Sequence, residues 1–305
     1  MAAGHDDSAS PGRPLGLRSV RMLTLGRWEL ASALDGWFAL DGGAMFGVVP
    51  RPLWEKAFAP DARNRVRLAA RCLVARDRDA KRVVLVDDGI GAKWDAKSVD
   101  RYAIDRPAGG VDAALARLGI GRDDVTDVVL SHLHFDHAGG TTRRGPDGGV
   151  ALAFPRATFH LQRRHWAWAH APTEKDRGSF VAEDFELLAH SNRLHLVEGE
   201  AALFPDFQLV LSDGHTVGQQ LPRFRGGDTH LTFCGDAIPT HAHLRPSWVM
   251  AYDLHPVTTI DDKKVLMAEA LEEDGILFFP HDPVMAACRL REERGEPVFR
   301  EEVAL

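Results

Sequence analysis

The chain has 305 residues, 45% of them hydrophobic and 27% charged, with a formal net charge of -7 at pH 7. That length can bury a large core as one big α/β domain or two small ones, and the acidic balance argues against a nucleic-acid-binding surface. No run of about 18 apolar residues occurs that could span a membrane, and Cys72, Cys234 and Cys288, odd in number and far apart, predict no disulfide framework and suit a reducing cytoplasm.

Residues 1–18 carry Asp6 and Asp7 near their start, with Gly, Ser and Pro throughout, and lack the apolar middle of a secretory signal. They read as a disordered tail ahead of one domain running from residue 19 to 305. Residues 20–40 alternate well enough for two or three strands, with Asp35-Gly36 as a turn between them. The stretch 40–50 is too rich in glycine for a core strand, and its Met45 and Phe46 either lean over a pocket or cap the core. Residues 66–75 and 82–87 form a hairpin around a polar tip, and Asp87-Asp88-Gly89 ends its second strand. A short helix over 111–118 stops at Gly119, a glycine-rich connection covers 141–150, and a strand over 157–161 leads into a helix over 162–171. Thr259 to Asp262 reads as a capping box opening a last helix, which Gly275 closes.

The chemistry concentrates between these elements. Residues 125–130 include Val-Val-Leu, the β-branched apolar run of a strand buried on both faces. Residues 131–140 follow as S-H-L-H-F-D-H-A-G-G. In extended chain His132 and His134 lie on the same side, with roughly 7 Å between Cα atoms, so both rings can reach one cation. Asp136 and His137 come where the chain should turn, and Gly139 and Gly140 let the backbone pass close beneath. Imidazoles and a carboxylate gathered this tightly are costly unless something positive holds them. Downstream, apolar strands at 207–211, 231–234 and 276–279 each end at a potential ligand: His215, Asp236 and His281. Ligands in α/β proteins collect at the carboxyl ends of strands, so these stretches are expected to converge. Cys234 could be claimed as a thiolate ligand but reads better as a buried structural thiol.

H-L-H-F-D-H resembles the H-x-H-x-D-H signature of the metallo-β-lactamase superfamily of metallohydrolases. The resemblance implies a single α/β domain built as a four-layer αββα sandwich. It implies two divalent metal ions, zinc foremost with manganese, iron or cobalt also compatible. His132, His134 and His215 would take one, Asp136, His137 and His281 the other, and Asp236 would bridge them. Asp88 would hold a ligand histidine from behind, although by itself that carboxylate is more simply a turn former. His134 stands where redox-active diiron members have glutamate. His137 and Asp236 stand where antibiotic-hydrolysing members typically lack the histidine and use cysteine. The chain therefore looks like the lactonase, glyoxalase II and phosphotriesterase branches, and most like the quorum-quenching N-acyl-homoserine lactonases.

That resemblance implies a bridging hydroxide attacking a lactone carbonyl, with Asp136 or Asp236 as the catalytic proton carrier. Met45, Phe46, Phe135, Trp248 and Met250 could wall an acyl-chain pocket. Pro239 departs from the tyrosine that many such lactonases carry there; Tyr252 could supply a phenol from another loop, or be a packed aromatic. Val217 and Gln219 also stand where relatives often show proline and histidine. The remaining histidines, including His160, His165, His170, His241 and His243, read as structural or exposed, although His241 and His243 are close enough to Asp236 to reach the pocket. The competing readings are a phosphotriesterase or arylesterase on the same metals, and a non-catalytic metal-binding sensor or scaffold. The expected partner is a small lactone or ester, with a homodimer through the Trp54 region as a further possibility.

Overall fold

The computed structural model describes residues 21–106 and 109–305; the expected N-terminal tail, 1–18, lies outside them. The first half of the chain runs β1 (Leu23–Leu25), β2 (Trp28–Asp41), α1 (Gly42–Phe46), α2 (Arg51–Trp54), β3 (Arg65–Asp77), β4 (Arg82–Val86), α3 (Ala96–Tyr102), α4 (Gly110–Arg117), β5 (Asp127–Val129) and α5 (Phe135–Ala138). A small hairpin of β6 (Thr142–Arg144) and β7 (Val150–Leu152) occupies the expected glycine-rich connection, followed by β8 (Thr158–Gln162), α6 (Arg163–His170), α7 (Ala182–Ala189) and β9 (Leu194–Val197). The second half runs β10 (Ala201–Phe204), β11 (Phe207–Ser212), β12 (Gln219–Gly226), β13 (Thr229–Phe233), α8 (Pro256–Glu272), β14 (Ile276–Phe278), β15 (Ala287–Glu293) and β16 (Glu296–Val303). Each half builds a seven-stranded mixed sheet, ordered β1-β2-β3-β4-β5-β8-β9 and β10-β11-β12-β13-β14-β15-β16.

Period-two side-chain alternation explains the layers. In β4, Val84 and Val86 enter the core between the sheets, while Leu85 between them points outward to α4. In β14, Ile276 and Phe278 meet that same inter-sheet core and Leu277 faces α8. Trp28 anchors the layer between the sheets, edge-on to Phe224 at 5.2 Å and beside Phe204 and Phe207 from the other sheet. Val111, Ala114 and Leu115 of α4 and Phe185 and Leu188 of α7 cover one outer face, and Leu266, Met267 and Ala270 of α8 cover the other. The result is the expected αββα sandwich as a single domain.

Two local expectations are corrected. Asp35-Gly36 is no turn: β2 is one strand whose register against β3 shifts between Leu34 and Gly36, leaving Asp35 as a bulge. The bulge aims Asp35 into the interior, where Oδ2 accepts from the Ile90 and Gly91 amides, and Oδ1 accepts from the Val111 amide and the Arg106 guanidinium at 2.6 Å. Gly36 is required beside it, because a Cβ there would stand 2.6 Å from the Arg106 side chain. The second correction is that α8 starts at Pro256, not at Thr259, which lies buried inside it; proline is pre-organised for a first helical position and needs no partner for an amide proton it lacks.

Asp35 thus pins β2, the loop after β4 and α4 together. Asp35→Asn turns one acceptor oxygen into a donor facing other donors, and is expected to lower stability by about 3 kcal/mol. Urea unfolding checks this, and an unchanged midpoint would show that the bulge carries no such weight.

Candidate metal centre

The two sheets deliver their polar residues to one rim. Beyond β5, which lies parallel between β4 and β8, the chain stays extended through His132, Leu133 and His134. Leu133 is buried in the core beneath α4 and α7, so the flanking imidazoles share the opposite side with ring centres 4.4 Å apart. His134 then begins α5, which carries Asp136 and His137. Tight backbone packing holds this turn: a Cβ on Gly91, itself at φ +68°, would lie 2.1 Å from the Gly139 carbonyl oxygen. Beneath it, the buried Lys93 ammonium donates to the Gly139 and Thr142 carbonyls and pairs with Asp184 at 2.9 Å. Burial pushes the Asp184 carboxyl up to about 6, with Lys93 opposing.

From the other half, His215 follows β11, Asp236 sits in the short turn Gly235–Ala237 after β13, and His281 follows β14. Two donor groups form: His132, His134, His215 and Asp236, and Asp136, His137 and His281. Asp236 spans both. Its Oδ2 is 3.2 Å from His215 Nε2, while Oδ1 is 3.2 Å from His137 Nε2 and 3.0 Å from His281 Nε2.

Hydrogen bonds behind the rings fix which nitrogen points inward. Asp87 accepts from the Ser131 amide and hydroxyl and from His137 Nδ1, and the Ser131 oxygen in turn meets His132 Nδ1 at 3.0 Å. His215 Nδ1 is held by Asp253 at 2.9 Å, and His281 Nδ1 donates to the Ala69 carbonyl at 2.8 Å. With Nδ1 protonated, each of these rings presents an Nε2 lone pair to the centre. Two such atoms, on His137 and His281, face each other at 2.9 Å. His132 Nε2 and Asp236 Oδ1 are buried with no hydrogen-bond partner among the described residues. Lone pairs so converged repel unless a proton or a cation lies among them, and a donor set of imidazoles and carboxylates suits a divalent metal.

The electrostatics agree. Burial and the neighbouring histidines hold His132 and His134 well below the usual histidine range. Burial opposes protonation of His137 too, but Asp236, Asp136 and Asp87 push it well above that range. Asp236, despite burial, is held well below the carboxylate range by His281, His137 and His215. The centre thus demands positive charge, which a metal ion would supply in place of protons.

Over these residues lies a cavity of about 270 Å³, lined by His134, Asp136, His215, Asp236 and His281 together with Leu40, Met45, Tyr102, Phe135, Lys175, Met250 and Tyr252. Of the expected pocket residues, Met45, Phe135, Met250 and Tyr252 line it. Phe46 and Trp248 do not: Phe46 is buried, stacked between Trp54 and His243 at 5.4 and 5.1 Å, with Trp248 edge-on to it at 5.6 Å. Trp248 instead lines a larger cavity, about 990 Å³, with Leu53, His241 and Phe299. That cavity holds none of the candidate ligands, so size alone is a poor guide to the chemistry here.

Other residues also fall differently from expectation. Asp87, not Asp88, grips a candidate ligand; Asp88 is buried against the Thr141 hydroxyl, and burial raises its pKa well above the carboxylate range. His243 is a packing residue, meeting the Met45 carbonyl through Nε2 and the Thr240 hydroxyl through Nδ1, and His241 pairs with Asp282. Cys234 lies in the core beneath α8. Asp253, Lys175 and Tyr102 were not anticipated: they come from loops and a helix end with no motif to mark them.

The sequence profile described as the metallo-β-lactamase superfamily matches residues 67–281. An N-acyl homoserine lactonase of Bacillus thuringiensis is 29% identical over 171 residues, which cover 55% of this chain and 60% of that enzyme. The aligned part thus spans less than two thirds of the relative's length. A probable metal-dependent hydrolase from Staphylococcus aureus superposes with a TM-score of 0.81 at 27% identity, covering 92% of this chain and all of that one. AidC, a dizinc quorum-quenching lactonase, shares the fold at a TM-score of 0.75 and 19% identity, covering 94% of this chain and 98% of AidC.

Divalent metal at about 100 times its dissociation constant should add about 2.7 kcal/mol, which in a domain of this size raises the melting temperature by roughly 5 °C. Thermal melts with and without a chelator test this; identical curves would mean that the donor set holds no metal. Asp253→Ala removes the partner that orients His215 and should weaken metal binding by about 10- to 100-fold, read by chelator competition.

Proposed function

The chain belongs to the metallo-β-lactamase superfamily, and from that premise we propose that it is a dinuclear metallohydrolase that opens a lactone ring, an N-acyl-homoserine lactone being the leading substrate. The observation that carries the dinuclear reading is Asp236, whose two oxygens reach separate donor groups. His132, His134 and His215 would hold one ion and Asp136, His137 and His281 the other, with Asp236 shared. When bound, such ions polarise a carbonyl and bring the pKa of water from 15.7 to about 7, supplying a nucleophile at neutral pH.

The protein's own residues do the rest. In ring opening, a water oxygen adds to the lactone carbonyl carbon, the ring C–O bond breaks, and the departing alkoxide needs a proton. Asp136 and Asp236, 8% and 6% exposed, reach the cavity floor, and a carboxylate there can carry the proton from water to the alkoxide. All three cysteines are buried, and none lines the cavity, so no thiol is placed to act as nucleophile. Leu40, Met45, Phe135 and Met250 give the acyl chain an apolar wall. The small cavity favours short acyl chains. The Tyr252 phenol, its pKa raised by burial and by nearby Asp41 and Asp136, stays protonated and can donate to a substrate carbonyl. It would do so where Pro239 leaves the usual position without a hydroxyl.

The test is kcat/KM of the metal-loaded protein on acyl-homoserine lactones, simple γ- and δ-lactones, an aryl ester and paraoxon. A preference for acyl-homoserine lactones of about 100-fold, worth about 2.7 kcal/mol, lost in His134→Ala, is the expected result. Equal, weak rates throughout would defeat the lactonase assignment, and a preference for paraoxon or the aryl ester would replace it. Tyr252→Phe should lower kcat/KM on the preferred lactone by about 10-fold, the loss of one hydrogen bond of about 1.4 kcal/mol; an unchanged value would make Tyr252 a packing aromatic.

A further inference from the structure

His165 is fully buried near the start of α6, outside both donor groups. Its two ring nitrogens are both engaged, each by the backbone of a different ligand-bearing loop. Nε2 lies 2.8 Å from the amide nitrogen of Leu133, the residue between His132 and His134. Nδ1 lies 2.8 Å from the carbonyl oxygen of Val217, two residues beyond His215. A backbone amide can only donate and a carbonyl can only accept, so the ring must be neutral with its proton on Nδ1. One imidazole therefore links the loop after β5 in the first sheet to the loop after β11 in the second.

Three further features show the arrangement to be specific. Gly218, at φ +73°, lets α6 approach: a Cβ there would stand 2.8 Å from the His165 amide nitrogen. The Asp213 side chain accepts from the Gly218 amide at 2.7 Å, closing the loop that carries His215. The Phe180 ring covers both His134 and His165, at 4.8 and 5.8 Å. Gln220 also joins the two halves, but through Leu130, Ser131 and His160, at the strand end before the first ligand. Of these two links, only His165 reaches the backbone between His132 and His134, at Leu133, and the backbone just beyond His215, at Val217.

We infer that His165 is a positioning residue: by bonding the Leu133 amide and the Val217 carbonyl with opposite ring nitrogens, it sets the separation of His132 and His134 from His215 and so the geometry of one metal position. This rests on the reading of those three histidines as ligands. His165 belongs to neither donor group and does not line the cavity above them; both its hydrogen bonds go to backbone, and its ring lies edge-on to His132 at 6.0 Å.

His165→Phe fills the space and keeps neither bond. His165→Gln can keep an acceptor for the Leu133 amide. Three readouts apply to each purified variant: the melting temperature of the metal-free protein, metal affinity by chelator competition, and the visible spectrum of the cobalt(II)-loaded protein, which reports ligand geometry. The expected result is metal affinity weakened by about 10- to 100-fold in His165→Phe, as when partners behind metal ligands are lost. The cobalt spectrum should shift, and both effects should be partly restored in His165→Gln. Variants that melt lower without metal, yet bind it within about twofold of the parent and keep its cobalt spectrum, would make His165 a packing residue and overturn the inference. A parent protein that binds no metal would instead overturn the functional reading on which it rests.

Discussion

Repulsion between inward-facing lone pairs is the constraint on which the rest of this molecule depends. Nε2 atoms of His137 and His281 stand 2.9 Å apart, and Nε2 of His215 stands 3.1 Å from Nδ1 of His134. Two facing ring nitrogens tolerate such contacts only with a proton or a cation between them. They are maintained because the rings of His132, His137, His215 and His281 are gripped from behind, by Ser131, Asp87, Asp253 and the Ala69 carbonyl, and because those grips are anchored at the ends and edges of the two sheets. The sandwich is best understood as the frame that holds these donors together against their mutual repulsion.

The frame is divided between the halves of the chain. The first sheet presents His132, His134, Asp136 and His137 within one turn of chain, and the second presents His215, Asp236 and His281 from three separate strand ends. Contacts across the division are correspondingly direct. The Ala69 amide of β3 donates to the His281 carbonyl while the Ala69 carbonyl receives the His281 ring proton, and the Arg71 guanidinium meets the Asp282 carbonyl. Backbone of one sheet thereby orients a side chain of the other.

Much of this was legible in the sequence because the informative features are local. Two histidines flanking an apolar residue after a β-branched run state both the strand and its facing, and three further apolar runs ending in His215, Asp236 and His281 state the convergence. The remainder depends on contacts between distant residues. Asp35-Gly36 has the composition of a turn, and only pairing with β3 along its whole length makes it a bulge. Asp87 and Asp88 are adjacent and chemically equal, so which of them meets His137 is settled by a backbone twist, Asp87 adopting φ +54°. Phe46 and Trp248 have the chemistry of a pocket wall, but Trp54 and His243 cover the one and the other turns to a different cavity. His165 sits in a helix like any structural histidine, and only the three-dimensional course of residues 133 and 217 gives its nitrogens their partners.

The sharing of Asp236 between donor groups has a consequence for how long the folded state lasts. Its neighbours come from sequence positions as far apart as 137 and 281, and such non-local pairings form late in folding, after long loops have closed. An ion held across both halves would therefore stabilise the native state more than the transition state. Interactions of that kind leave the folding rate unchanged and slow unfolding. Loaded and chelated protein would then refold at similar rates and differ in lifetime, the ion acting as a clasp on a structure already assembled.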